Sequence, residues 1–183
     1  VMRIAFITFI LFLFTNVSLG QLPNKAMKKM GQNPKLFLDS VEIPINELQT
    51  LNPLDISNIS IVAPRKAKKF LGDKGVDGAI YITTVKAAKL TYWNYFISKS
   101  DEYRRLVTSP QSDTNVLYIL NGEALSDSAA PGKLFLITDK NFKSIAIIDK
   151  ENLLVDKVLS KRYVVALTAK RPKGLVKRND QNK

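Results

Sequence analysis

The chain has 183 residues, with 28 lysines and arginines against 16 acids, a formal charge of +12, and neither cysteine nor histidine. The two absences exclude disulfides, thiolate and imidazole metal sites, Cys-His and Ser-His-Asp nucleophile systems and histidine general bases, so only carboxylates, lysine, tyrosine and hydroxyls remain for catalysis. The positive excess fits either a solvated basic surface with a basic tail or an anionic partner.

Residues 1–20 carry Arg3 as their one charge, an apolar run from Ile4 to Phe14, and Ser18-Leu19-Gly20 just before Gln21. That is the layout of a secretory signal peptide cleaved after Gly20, with an uncleaved N-terminal anchor as the alternative. The apolar run covers only about half of a roughly 30 Å hydrocarbon layer, so no transmembrane span is expected after cleavage. No cysteine follows it to carry a lipid. Export puts nucleic acid out of reach, which leaves anionic polysaccharide or a lipid surface as the charged partner. Residues 21–33 read as a mobile leader.

Residues 36–39 then form a short apolar run suited to a buried strand, and Val41, Ile43 and Ile45 alternate with polar neighbours until Pro44 interrupts the ladder. Leu48 and Leu51 suggest a helical turn or two ending before Pro53. Residues 55–62 carry the clearest strand signal, with Ile59 and Ile61 on one face and Asn58, Ser60 and Val62 on the other. Pro64 stops it. A short basic helix follows over 65–71, packing through Ala67, Phe70 and Leu71. Gly72, Gly75 and Gly78, with Asp73, Lys74 and Asp77 between them, mark a tight loop that opens a strand over 79–85.

A different texture follows. Ala88, Leu90, Trp93, Phe96 and Ile97 recur at helical spacing, and Ser98-Lys99-Ser100 breaks the pattern before a second helix over 101–107 that turns Tyr103 and Leu106 inward, with Ser100 as its N-cap. Tyr92, Trp93, Tyr95 and Phe96 are the densest aromatic cluster. Core packing is the simpler reading, and a ligand-stacking platform is the other. Residues 108–114 form a polar loop. Farther on, Leu153, Leu154 and Val158 suggest a helix within 149–159, then a strand over 163–168 and a disordered basic tail.

The two halves repeat each other. Residues 36–42 are echoed by 117–123, which aligns Leu36 with Leu117 and Asp39 with Leu120. Leu48, Leu51, Ile56, Ile59, Ile61 and Val62 align with Leu134, Ile137, Phe142, Ile145, Ile147 and Ile148, and Tyr81-Ile82-Thr83 with Ala166-Leu167-Thr168. Such ordered blocks indicate one small module used twice. The expected fold is α+β: two small modules, each a short mixed sheet with one or two helices, bridged by a helical segment. The expected units are a signal peptide (1–20), leader (21–33), first module (34–86), helical linker (87–114), degenerate second module (115–170) and tail (171–183). Expected core positions are Leu36, Leu38, Leu48, Ile56, Ile59, Ile61, Ile80 and Ile82, matched by Leu117, Ile119, Leu134, Phe142, Ile145, Ile147, Val165 and Leu167.

Leu36-Phe37-Leu38-Asp39, then Asn52-Pro53-Leu54-Asp55-Ile56 running to Val62, Gly72 to Gly78, and Ala79-Ile80-Tyr81-Ile82-Thr83-Thr84 resemble the plug domain of TonB-dependent outer-membrane receptors, in the short form common in Bacteroidota. Ser40 departs from the family's glycine, and Phe70-Leu71-Gly72 from its tyrosine-glycine pair. No alternating barrel-strand pattern follows. The resemblance therefore implies a fold and a compartment, the periplasm or outer membrane of a Gram-negative bacterium, with envelope proteins as partners, rather than transport. It implies neither an enzyme nor a cofactor.

The glycine loop fits neither a P-loop, since Lys74 precedes Gly75, nor a dinucleotide fingerprint, since it follows a helix and opens a strand. A turn requiring positive φ is its main reading, with calcium held by Asp73 and Asp77 as a lesser one. Gly72, Asp73, Lys74, Gly75, Asp77 and Gly78, together with Trp93 and Tyr95, are the candidate interaction surface, and no catalytic, metal or cofactor residue is assigned. The enzyme alternative is a glycan hydrolase using Asp39 with Glu42, or Asp55 with Asp73.

Overall fold

The computed structural model describes residues 30–148 and 161–170. The signal segment, most of the leader, the helix expected within 149–159 and the basic tail lie outside the described residues. What is described is mixed α+β with two four-stranded sheets. The first is built from β1 (Lys35–Leu38), β2 (Val41–Ile43), β3 (Ile56–Val62) and β4 (Ala79–Thr84), in the order β2-β1-β4-β3. The second uses β5 (Val116–Leu120), β6 (Glu123–Ala124), β7 (Phe142–Ile148) and β8 (Tyr163–Ala169), in the order β6-β5-β8-β7. Among the described residues no helix is long and apolar enough to cross a membrane.

The sheets match in more than order. In each, a hairpin pair is antiparallel, the central pair (β1 with β4, β5 with β8) is parallel, and the outer pair is antiparallel. Each outer ladder also shifts register at one equivalent place, between Ile56 and Asn58 in the first sheet and between Phe142 and Ser144 in the second.

Both hairpins turn through two residues at positive φ, Asp39 (48°) with Ser40 (74°), and Asn121 (53°) with Gly122 (85°). That is the mirror-image turn whose twist suits paired strands. It corrects the repeat alignment by one residue: Asp39 corresponds to Asn121, not Leu120. The amide of Asp39 donates to the Ile82 carbonyl and that of Asn121 to the Leu167 carbonyl, both at 2.9 Å. A slip of one residue exchanges the faces of a strand. The buried counterpart of Leu36 is accordingly Tyr118, at 2% exposure, while Leu117 and Ile119, expected in the core, are half-buried and outside the core cluster. Ile61 is likewise half-buried and outside the first cluster.

Between the strands, α1 (Pro64–Leu71) follows β3, and α2 (Val85–Ile97) begins directly where β4 ends. Thr84 caps α2, its hydroxyl accepting from the Ala87 amide. After α2, α3 (Asp101–Leu106) is capped by Ser100, whose hydroxyl accepts from the Tyr103 amide. The inward side of α2 is Ala88, Tyr92 and Phe96, while Leu90, expected to pack, is about half exposed.

Two cores result. Leu36, Ile80 and Ile82 form the smaller, with Leu48, Leu51, Ile56 and Ile59 against them. The larger joins Tyr92, Phe96, Tyr103 and Val107 from the helical segment to Tyr118, Leu134, Val165 and Leu167 around the second sheet. The helical segment thus completes the second core. A short helix α4 (Ala130–Leu134) packs against both α2 and β3. Gly132 makes the β3 approach so close that a Cβ there would stand 2.7 Å from the Ser57 carbonyl oxygen.

Candidate functional site

Each glycine of the 72–78 loop has its own reason. Gly72 ends α1 at φ 60° and ψ −140°, with its amide on the Lys68 carbonyl and nothing near the place of a Cβ. This is backbone that side chains avoid. Gly75 is buried against α1, where a Cβ would lie 2.5 Å from the Ala67 carbonyl carbon. Gly78, at φ 91°, leaves no room beneath Met30 and the Val62 carbonyl. Its carbonyl accepts from the Lys35 amide at 3.0 Å.

Asp77 is occupied within the fold. Its carbonyl accepts from the Gly31 amide and its carboxylate from the Asn33 amide, so it fastens the leader's end to the loop. Asp73 and Lys74 are exposed instead, and among the described residues the Asp73 carboxylate meets only the Lys68 ammonium, at 3.9 Å. Among the described residues no cluster of three or more carboxylates could hold a metal ion. The loop is therefore a closely packed glycine turn that presents the exposed Asp73 and Lys74 side chains.

Trp93 and Tyr95 lie elsewhere, packed half-buried against the larger core. The Trp93 indole donates to the Val107 carbonyl at 2.7 Å, tying α2 to the end of α3. Tyr95 donates to Asp139 at 3.0 Å, meets Phe142 edge to face, and carries the Lys99 ammonium 5.0 Å above its ring. Burial, and then Asp139, push its hydroxyl up to about 12. Asp139 in turn is held below the usual carboxylate range by the Lys99 ammonium and by Tyr95. The glycine loop and this aromatic pair are two separate places.

Of the carboxylates weighed for hydrolysis, Asp39, Glu42 and Asp55 are bonded within the fold, while Asp73 is exposed. Both Asp39 oxygens accept from Thr84, one from its amide and one from its hydroxyl, each at 2.7 Å. Asn121 makes the equivalent clamp on Ala169 with two 3.0 Å bonds, one accepted and one donated. Glu42 pairs with Lys35 at 2.6 Å, and that ammonium holds its carboxyl below the ordinary range. Asp55 accepts from the Asn52 amide side chain.

Asp113 gave no signal in its polar loop. It is buried, one oxygen accepting from the Tyr92 hydroxyl and lying 3.2 Å from the Lys89 ammonium, the other without a hydrogen-bond partner. Nearby, Tyr103 and Tyr118 share a 2.7 Å bond. Burial drives all three hydroxyls far above the usual tyrosine value, and Asp113 adds to this. They are neutral donors, and none can act as a base near neutral pH. Beside β2, an open cleft of about 450 Å³ runs between residues 32–36 and 42–45, crossed by the Lys35–Glu42 pair.

No family model, curated protein or solved structure matches the chain.

Proposed function

We propose that this is an exported, noncatalytic, plug-like protein that serves as an interaction or scaffold unit for envelope proteins, in the periplasm or at the outer membrane. The observation carrying this reading is the glycine loop. Its frame is fixed at Gly75 and Gly78 by contacts that exclude a side chain, while Asp73, Lys74 and Val76 stay solvated. Rigid backbone with exposed side chains favours recognition, because little entropy is lost when a partner docks. The carboxylates and tyrosines bonded within the fold support a noncatalytic role.

A photo-crosslinking side chain at Lys74 tests the reading in the native envelope, against a control at the exposed Glu102 of α3. Defined adducts with envelope proteins at Lys74 alone are expected. Adducts that are absent, or the same at both positions, would reject it.

A further inference from the structure

The basic helix α1 was expected to pack through Ala67, Phe70 and Leu71, and Phe70 breaks that pattern. Ala67 is buried at 1% and Leu71 and Pro64 are half-buried, so the inward stripe is 64, 67 and 71. Phe70 falls on the other side and is 79% exposed. Helical spacing groups it there with Arg65, Lys66 and Lys69, all exposed. Among the described residues, Lys68 is the one cation of this helix with an acidic neighbour, Asp73.

This face opposes the stability of its own helix. No acid lies in the first turn, and Arg65 and Lys66 place positive charge at the positive end of the helix dipole. The like charges also repel along the face. A negatively charged partner would relieve both costs. A phenylalanine ring among them adds a second requirement, because a purely ionic partner gains nothing from it, whereas a lipid interface accepts an aromatic ring between its headgroups.

We propose that the Arg65, Lys66, Lys69 and Phe70 face of α1 docks on an anionic lipid surface, the three cations against headgroups and the ring at the acyl boundary. The contact is independent of the scaffold reading, since it does not use the glycine loop.

The full chain with Phe70→Trp supplies a probe at the site. Wild type contains Trp93 as its only tryptophan, so its emission can be subtracted. Vesicles of phosphatidylglycerol and phosphatidylcholine should shift the added emission to the blue, while phosphatidylcholine alone should not. Adding Lys66→Gln or Lys69→Gln should each raise the lipid concentration for half the shift roughly fivefold. Far-UV circular dichroism verifies the fold of each variant. An added emission that stays at its aqueous wavelength on anionic vesicles overturns the proposal. So does an equal shift with polygalacturonate, an anionic polysaccharide, or a half-point indifferent to both lysines.

Discussion

Ser40 occupies the second position of the first hairpin turn at φ 74°, where the corresponding residue of the second turn is Gly122. A side chain in that region is strained, so Ser40→Gly should stabilise the protein by up to about 1 kcal/mol, read as a higher urea midpoint. Beside it, Asp39→Ala leaves the Thr84 amide and hydroxyl without their acceptor and should cost about 1–3 kcal/mol. Asp39→Asn should recover most of that loss, because its carbonyl oxygen can still accept from the Thr84 amide, as Asn121 does from the Ala169 amide. A variant as weak as Asp39→Ala in urea would show that charge, rather than geometry, makes the clamp.

At the level of elements, Tyr103 and Tyr118 join α3 to β5 through their shared hydroxyl bond and Tyr92 ties α2 to Asp113 just before β5, all through hydroxyls that burial keeps protonated. Their folded values lie above the ordinary 10.0, so the stabilisation is complete below about pH 10 and declines as pH rises beyond it, where the unfolded chain releases protons that the fold retains. The decline should reach about 4 kcal/mol per pH unit for the three together. Tyr118→Phe should reduce that slope by about a third, measured by urea unfolding across the alkaline range. In the first sheet, β3 and β4 were legible because β-branched runs mark them and Pro64 and Gly78 delimit them. The face of β5 was not: Leu117, Tyr118, Ile119 and Leu120 are all apolar, and apolarity cannot fix register. Asn121-Gly122 did encode it, through turn chemistry rather than periodicity. Phe70 misled for the opposite reason, since its hydrophobicity suggested burial while the spacing of Ala67 and Leu71 already closed the inward stripe. Asp113 was invisible because only the tertiary arrangement brings Tyr92 and Lys89 to it.

Across the whole molecule, the sheets are joined by a helix that belongs to the second core and by the close passage of Gly132 over Ser57. Trp93 fluorescence, reporting the larger core, and circular dichroism, reporting both sheets, should therefore follow one coincident transition. Gly132→Ala would push α4 from β3, cost about 1–3 kcal/mol, and separate the two curves. Coincident curves in that variant would mean that α2 alone couples the halves.

The parallel pairing of β1 with β4, and of β5 with β8, has a mechanical consequence. Tension on the chain pulls β1 by its start and β4 by its end, so the bonds between them bear load together instead of parting one by one. The same holds for β5 and β8. Asp39 gripping Thr84 sits at the loaded end of the first pair, and Asn121 gripping Ala169 at that of the second. Pulled from its two ends, the chain would thus resist stretching at two matched points, each a clasp under shear.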